Sequence, residues 1–188
     1  MLNQKQFCDR ATRELREIGK QAQALVSDRD LAHKLESEVI ARNPRLSDNT
    51  ATFLGMIRAS YTDATTMRLR RLYAPDANLS LRRIVLQLSD YPELLHDKLT
   101  AKELASDAAE LDRTATTLKE HLDPHFTSRE RTSAALTSTN RELDRALDLL
   151  IDCIKRYYWI VSHAHIDLDP SLEQDPLAVF RFAWIESQ

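Results

Sequence analysis

The chain has 188 residues with only two glycines and six prolines, a composition typical of an all-α protein that can bury its own core. The formal net charge of −3 does not indicate nucleic-acid binding, so any affinity for RNA must come from a local basic patch. Without the apolar core of a signal peptide, or any run approaching about 18 apolar residues, the chain is predicted to be soluble, cytoplasmic and not membrane-bound. Cys8 and Cys153 match no metal or redox spacing.

The first predicted helix covers roughly residues 3 to 26. Its apolar residues recur at the spacing of one helical face, as expected for a helix that packs on a core. They are Phe7, Ala11, Leu15, Ile18, Ala22 and Leu25. The apolar residues continue at nearly the same helical phase through Val39, so the helix is expected to run on toward Arg42. The alternative is a second helix capped by Ser27 or Asp28.

A second long helix is predicted to open at Asp48 or Asn49, because Asn43-Pro44 ends the first segment. It stops before Ala74-Pro75, where the residue preceding proline disfavours helical geometry. One side of this helix is marked by Phe53, Ile57, Tyr61, Ala64, Arg68 and Leu72.

Two shorter patterns follow. A short helix over Leu79 to Leu88 is predicted to turn four residues inward, namely Leu81, Ile84, Val85 and Leu88. Pro92 restarts the chain at a position where a first helical turn tolerates proline. Thr100 and Glu103 form a capping box that opens a further helix, which Asp123-Pro124 is expected to end.

The longest helical pattern runs from Arg129 to Ile166 without proline or glycine. Thr127 and Glu130 fit a capping box, which places the helix start near Ser128, and we expect the helix to reach His163. Its apolar stripe consists of Leu136, Leu143, Leu147, Leu150, Ile154, Tyr157 and Val161.

The second half of this helix is apolar on more than one side. From Ile154 onward, Tyr158, Trp159 and Ile160 extend the apolar surface to the back of the helix. Such a helix must be covered on more than one side, either by its own domain or by a second chain. We therefore predict a homodimer whose interface contains Tyr158, Trp159 and Ile160.

The complete pattern predicts an all-α, single-domain antiparallel bundle of about six to seven helices, with one long helix near residues 128–163. The last short helix starts at Asp175-Pro176 and carries Leu177, Val179, Phe180, Phe182, Trp184 and Ile185. No internal repeat, low-complexity run or linker interrupts the chain.

Arg156 and His163 are the first candidate catalytic pair. Seven residues apart on one helix, they would lie nearly eclipsed over two turns. An arginine can hold the scissile phosphate of RNA while a histidine moves the proton of the ribose 2′-OH, which is metal-independent cleavage. The alternative is a purely structural role, in which Asp152 forms an ordinary helical salt bridge with Arg156.

Other histidines and arginines give further candidates. His121 and His125 flank the predicted turn at Asp123-Pro124.

A metal site of His163, His165 and Asp167 would require the helix to have ended, because residues two apart on a helix point away from each other. We predict no metal and no cofactor.

The most basic neighbourhood of the chain could contact RNA phosphates or form a salt-bridged helix surface. It comprises Arg68, Arg70, Arg71, Arg82 and Arg83.

Several stretches together resemble a known family. The segment Phe53–Tyr61 leads into Met67–Tyr73, the short segment Asn78–Ile84 follows, and two long helices, Glu103–Leu122 and Glu142–Tyr158, precede an aromatic C-terminal helix. This layout resembles the HEPN superfamily, and within it the AbiU-like branch associated with bacterial abortive infection. The resemblance covers most of the chain and implies one HEPN-like domain over residues 1–188.

The resemblance implies a bacterial defence or toxin–antitoxin protein that cleaves RNA without a metal and has an antitoxin or other protein as partner. HEPN ribonucleases carry an arginine, then four to six residues, then a histidine. At the turn where this branch carries the motif, Ser128 stands at the histidine position. When His125 is aligned there instead, Lys119 stands at the arginine position.

A weakened active site is therefore implied. It would consist of Arg156 and His163, or of His121 and His125 with Lys119. The alternative is a catalytically inactive helical module that binds protein or RNA.

Overall fold

The computed structural model describes residues 3–40, 51–74, 79–95, 99–127 and 133–170, with side chains described except at 51–54, 121–127 and 133–139. Within these ranges the chain forms helices and no strand, which confirms the predicted all-α bundle. The elements are α1 (Gln4–Lys34), a π-helical segment (Leu35–Ile40), α2 (Ala51–Tyr73), α3 (Leu81–Leu88), α4 (Pro92–Leu95), α5 (Ala101–Thr127) and α6 (Ser133–Ser162).

Helix α1 begins at a capping box that the sequence analysis did not identify. The Asn3 side chain accepts a hydrogen bond from the Gln6 N–H at 2.8 Å, and the Gln6 side chain accepts one from the Asn3 N–H at 3.2 Å. All six residues predicted for its apolar face are buried. Ser27 and Asp28 lie inside α1, so the prediction of a second helix at this point is wrong. The helical chain continues to Ile40, and the expected end at Arg42 lies outside the described residues.

Helix α2 ends at Tyr73 as predicted, and of the predicted side Leu72 is buried while Ile57 and Tyr61 are half-buried. Ala64 and Arg68 are exposed, and three threonines and a leucine pack inward, namely Thr62, Thr65, Thr66 and Leu69. The hydroxyl of Thr66 donates to the carbonyl of Thr62 at 2.6 Å. Because hydroxyls bonded to the preceding turn can be buried, a face rich in threonine escapes a search for apolar residues. The predicted start at Asp48 or Asn49 lies outside the described residues, as does the side chain of Phe53.

Helices α3 and α4 follow the prediction closely. The four residues expected to face inward from α3 are buried, and the Ser80 side chain caps the helix by accepting from the Arg83 N–H at 3.3 Å. Helix α4 starts at Pro92, as expected for proline in a first turn.

The predicted capping box of α5 is present. The Thr100 hydroxyl accepts a hydrogen bond from the Glu103 N–H at 3.2 Å, and the Glu103 carboxylate accepts one from the Thr100 N–H at 2.7 Å. These hydrogen bonds from Thr100 lower the pKa of Glu103.

Thr100→Ala is expected to lower the free energy of unfolding by about 1 kcal/mol, because one helix N–H loses its acceptor. Thr100→Ser keeps the hydroxyl and is expected to change stability by less than about half of that. Urea unfolding followed by circular dichroism would compare the three proteins. Equal stability of the alanine and serine variants would show that the box contributes nothing.

The expected end of α5 at Asp123-Pro124 is wrong, because the helix continues through Pro124 to Thr127. Proline disfavours helical geometry in the residue before it without prohibiting it, and helices that contain proline occur. His121 and His125 therefore lie on helical backbone and not in a turn. Thr127 is the last residue of α5, and the predicted start of the next helix near Ser128 lies outside the described residues.

Helix α6 is covered on several sides by its own chain. Ile154, Tyr157, Tyr158, Ile160 and Val161 are all buried. Helix α1 packs along α6, and α2 and α5 pack against it as well. Intramolecular packing therefore accounts for the two-sided apolar pattern.

The segment after α6 folds back across α1 at Gly19. A Cβ atom at Gly19 would lie 2.8 Å from Cδ1 of Ile166 and 3.2 Å from Cδ2 of Leu168, so the glycine permits the close approach. The Gln23 side-chain amide donates to the carbonyl of Asp169 at 3.0 Å. This return segment covers one side of the α1–α6 contact.

No helix in the described ranges is long and apolar enough to cross a bilayer. The predicted last helix from Asp175-Pro176 to Ile185, including Trp184, lies outside the described residues.

Candidate functional site

Arg156 is held by a carboxylate on the neighbouring helix. Its guanidinium Nη1 donates to Oδ2 of Asp107 on α5 at 2.6 Å. The hydroxyl of Tyr157 donates to the same oxygen, also at 2.6 Å. The Asp107 side chain is only 15% exposed, whereas that of Arg156 is 47% exposed. Asp107 therefore ties two consecutive residues of α6 to α5, one at the surface and one in the core.

Burial keeps the acidic groups beside this carboxylate neutral. Burial, followed by the hydrogen bond to Asp107, raises the pKa of Tyr157 well above its usual value. Burial also raises the pKa of Cys153 to about 12, with a further contribution from the Asp107 charge. A thiol with this pKa is protonated near neutral pH, so Cys153 is not an activated nucleophile.

His163 lies just past the end of α6. Its backbone has a φ of 53°, in the left-handed region, and its N–H donates to the carbonyl of Trp159 at 2.9 Å. The helix ends at Ser162, and no described hydrogen bond joins His163 to Arg156. The eclipsed arrangement of the pair stays a prediction. The His163 ring meets the Trp159 ring edge to face, with 6.5 Å between ring centroids.

Because α6 ends at Ser162, His163, His165 and Asp167 lie beyond the helix, as a metal site formed by these three residues would require. Within the described part of the chain, however, no group of three or more His, Cys, Asp or Glu side chains is placed to hold a metal ion. The Asp167 carboxylate accepts a hydrogen bond from the Asp169 N–H at 2.9 Å, which stabilises the return segment.

The second catalytic candidate set lies near the end of α5. Lys119 is exposed on this helix. The side chains of His121 and His125 lie outside the described ones, so this candidate set stays a prediction.

Three of the five candidate RNA-binding arginines form ion pairs within the chain. Arg82 forms a bidentate pair with Asp112 of α5, Arg83 contacts Glu14 of α1 at 3.0 Å, and Arg68 contacts Asp28 of α1. Arg70 and Arg71 are exposed at the end of α2, and neither forms an ion pair with a described residue. The basic neighbourhood is thus largely a salt-bridged helix surface.

The residues predicted for the dimer interface are mostly buried within a single chain. Tyr158 is 5% exposed and its hydroxyl accepts a hydrogen bond from Arg16 at 2.9 Å, while Ile160 is 2% exposed. Trp159 is half-buried. The homodimer stays a prediction, but these residues no longer motivate it.

A groove of about 470 Å³ opens between α1 and α2, with α6 at its floor. Helices α1 and α2 both pack along α6 but touch each other little, which leaves this space open. Its mostly apolar lining includes Leu31, Ala32, Leu35, Met56, Ile57 and Ala64. This groove is absent from the sequence predictions, although Met56, Ser60 and Ala64 recur every four residues along the α2 wall.

The rim of the groove is acidic and salt-bridged. Asp28, Glu36 and Asp144 supply three carboxylates and Arg58 one guanidinium, which gives a net charge of −2 when His33 is neutral. Arg58 donates to both oxygens of Glu36, at 2.5 and 2.6 Å. This bidentate pair attaches the π-helical segment to α2.

The chain was compared with protein-family models, with curated proteins and with solved structures. No family model, no curated protein and no solved structure matches the chain.

Proposed function

We propose that this protein is a HEPN-like module of the bacterial defence or toxin–antitoxin type that binds a protein partner and does not cleave RNA. The observation that carries the proposal is the ion pair between Arg156 and Asp107. A phosphate at Arg156 would have to compete with a carboxylate that Tyr157 also holds in place. The family assignment itself rests on the resemblance of the sequence.

The position of His163 supports the same proposal. A general base must lie within hydrogen-bonding reach of the proton it removes, while the arginine holds the adjacent phosphate. In the described structure the His163 ring contacts the Trp159 ring, and the His163 backbone has left the helical conformation. A catalytic pair would also need a new partner for Arg156, whose guanidinium is bonded to Asp107.

The charge distribution favours protein over RNA as the partner. The net charge is −3, and Arg68, Arg82 and Arg83 are paired with carboxylates of the same chain. RNA phosphates would have to replace these partners, and each replacement offsets part of the gain from counterion release.

The proposal predicts no cleavage of a mixed RNA pool by the wild-type protein in EDTA, and none by Arg156→Ala or His163→Ala. Arg145→Ala and His33→Ala, one on α6 and the other on α1, are matched controls, and circular dichroism would check that all variants fold. Cleavage by wild type and both controls, lost in the Arg156 and His163 variants, would instead establish a metal-independent ribonuclease. Cleavage that all variants retain would move the activity to the His121 region or to a contaminant.

A further inference from the structure

The groove between α1 and α2 is bounded at both ends by ion pairs that join its two walls. At one end Arg68 of α2 contacts Asp28 of α1, and at the other end Arg58 of α2 donates to both carboxylate oxygens of Glu36. Asp28 and Glu36 lie eight residues apart, which corresponds to about 12 Å along a helix. The groove is therefore a slot of limited length, and a chain running through it would have to displace one of these pairs.

The walls between the two ion pairs are mostly apolar. Leu31 and Leu35 line one wall, and Met56 and Ile57 line the other. Met56 is 60% exposed, the highest value among the large apolar side chains of the described structure. A volume of about 470 Å³ lies within the range of pockets that hold small molecules, about 300–1,000 Å³. Size and lining together suit a small ligand with an apolar body.

One carboxylate of the slot is not neutralised by an arginine or a lysine. Asp28 and Glu36 each have an arginine partner, so the charges of these two pairs cancel. Within the described part of the chain, the only ion-pair partner of Asp144 is His33, whose Nε2 lies 3.5 Å from Oδ2 and balances the charge only when the ring is protonated. With His33 neutral, the slot contains a single uncompensated negative charge on its α6 floor. A ligand with one positive charge is complementary to it.

Two other polar side chains lie on the floor with Asp144. Burial raises the pKa of Tyr61 to about 12, and the Asp144 charge is the second cause, so the phenol and the carboxylate lie close together. The face of an aromatic ring attracts an ammonium ion. Asn140 lies one turn before Asp144, and its Oδ1 accepts a hydrogen bond from the Thr62 hydroxyl at 2.8 Å. The floor thus combines a carboxylate, an aromatic ring and an amide beneath apolar walls.

We propose that this slot binds a small organic ammonium ion, with the ammonium group beside Asp144 and Tyr61 and the apolar body between the walls. The ion pairs at both ends favour a small molecule over a helix of a protein partner, because a helix lying along the slot would extend past both pairs. This proposal goes beyond the proposed function and does not rest on it, since it requires neither RNA nor a protein partner.

Titration calorimetry with n-octylammonium chloride at pH 8 tests the charge on the full chain. Octylammonium is expected to bind at least about tenfold more tightly than octanoate, which has the same number of carbons and the opposite charge. Asp144→Asn keeps the side-chain shape and should weaken octylammonium binding about tenfold, because a charged hydrogen bond is lost. The matched control is Asp152→Asn, the same exchange at an exposed residue of α6 outside the groove, which should bind as wild type does.

A second pair of variants tests the location without removing a charge. Ala64 lies in the α2 wall and is exposed, so Ala64→Phe should fill part of the slot and weaken octylammonium binding at least about tenfold without disturbing the core. Met67→Phe places the same ring on α2 outside the groove lining and should bind as wild type does. Circular dichroism with and without the ligand would check that the helix content of every variant stays the same.

Chain length tests the closed ends of the slot. Each methylene that enters the slot should increase affinity about twofold to fourfold. An extended alkyl chain grows by about 1.25 Å per methylene, so a slot of about 12 Å should be filled near eight to ten carbons, and longer alkylammonium ions should bind no more tightly.

Three results would overturn the proposal. The first is a wild-type protein that binds no octylammonium. The second is equal binding of octanoate, or binding that Asp144→Asn leaves unchanged, because the carboxylate would then not select the ligand. The third is binding that Ala64→Phe leaves unchanged, because the ligand would then lie outside the slot. RNA cleavage bears on the proposed function alone, so the two proposals can fail separately.

Discussion

Asp107→Ala is expected to lower the free energy of unfolding by about 3 kcal/mol. Most of this loss comes from Tyr157, which is fully buried and whose hydroxyl donates to the Asp107 carboxylate. A buried donor without an acceptor costs about 1–3 kcal/mol. Arg156 adds less, at most about 1 kcal/mol, because its side chain is 47% exposed and water replaces much of the lost attraction.

Two further variants separate these contributions. Asp107→Asn keeps an oxygen acceptor for Tyr157 but removes the charge, so its loss should be roughly 1 kcal/mol. In Asp107→Ala combined with Tyr157→Phe, the stranded donor is gone, and part of the stability lost in Asp107→Ala should return. Urea unfolding at neutral pH measures all four proteins. A change below about half a kcal/mol in Asp107→Ala would show that this carboxylate does not join α5 to α6.

The same variant addresses the proposed function directly. Asp107→Ala frees the Arg156 guanidinium from its only described carboxylate partner. If that ion pair were all that suppressed catalysis, RNA cleavage should appear in this variant and disappear again when His163 is also replaced. We expect no cleavage in either case, because the His163 ring packs against the Trp159 ring beyond the end of α6.

The elements that the sequence predicted correctly depend on local chemistry. The apolar faces of α1 and α3 repeat at helical spacing, and the Thr100–Glu103 capping box involves residues three apart. Such signals need no knowledge of the rest of the chain. The all-α class follows from them together with the scarcity of glycine.

The errors arise where the folded chain does not follow a local preference. Pro124 disfavours the helix around it, yet α5 continues to Thr127. On α2, threonine hydroxyls satisfied by the preceding turn make a polar residue compatible with the core, so Thr66 is buried while Ala64 is exposed. Propensity and hydropathy are averages, and the surrounding structure can override both.

The candidate site was less predictable, because it depends on contacts between residues distant in sequence. The pairing of Arg156 with Asp107 joins residues 49 apart, and the predicted local partner Asp152 is exposed instead. The covering of α6 by its own chain, which removes the reason for placing a dimer at Tyr158, also requires the tertiary arrangement. Periodicity shows that a surface must be covered but does not identify what covers it.

High pH is expected to unfold the protein, because three buried acidic groups and one partly buried one, Tyr61, resist ionisation in the folded state. Burial, with the Asp144 charge second, raises the pKa of Tyr61 to about 12, and burial raises the pKa of Cys153 to about 12. Burial raises the pKa of Tyr73 and of Tyr157 further still. In the unfolded chain these groups ionise near pH 9 for cysteine and about pH 10 for tyrosine.

The direction follows from proton release. Above the unfolded pKa and below the folded one, the unfolded chain has released a proton that the folded chain retains, so rising pH favours unfolding. The stabilisation is fully present below about pH 9 and is lost as pH rises toward the folded values. Each fully buried group contributes on the order of 1.4 kcal/mol per pH unit within its window, and Tyr61 contributes less because it is partly exposed in the groove, so the four together remove several kcal/mol by about pH 11. That loss is comparable to the whole stability of a typical domain.

Tyrosinate absorbance and far-ultraviolet circular dichroism, recorded together between pH 8 and 12, would test this expectation. The absorbance of the buried tyrosines should appear with the loss of helix in one cooperative transition. Tyr61→Phe and Cys153→Ala each remove one ionisable group, so each should make stability less dependent on pH above about pH 10. Helix content that stays constant while the full tyrosinate signal develops would mean that these phenols ionise within the folded bundle. The junction of α5 and α6 at Tyr157 would then be open to water, and Asp107 would stabilise the fold much less than its two hydrogen bonds imply.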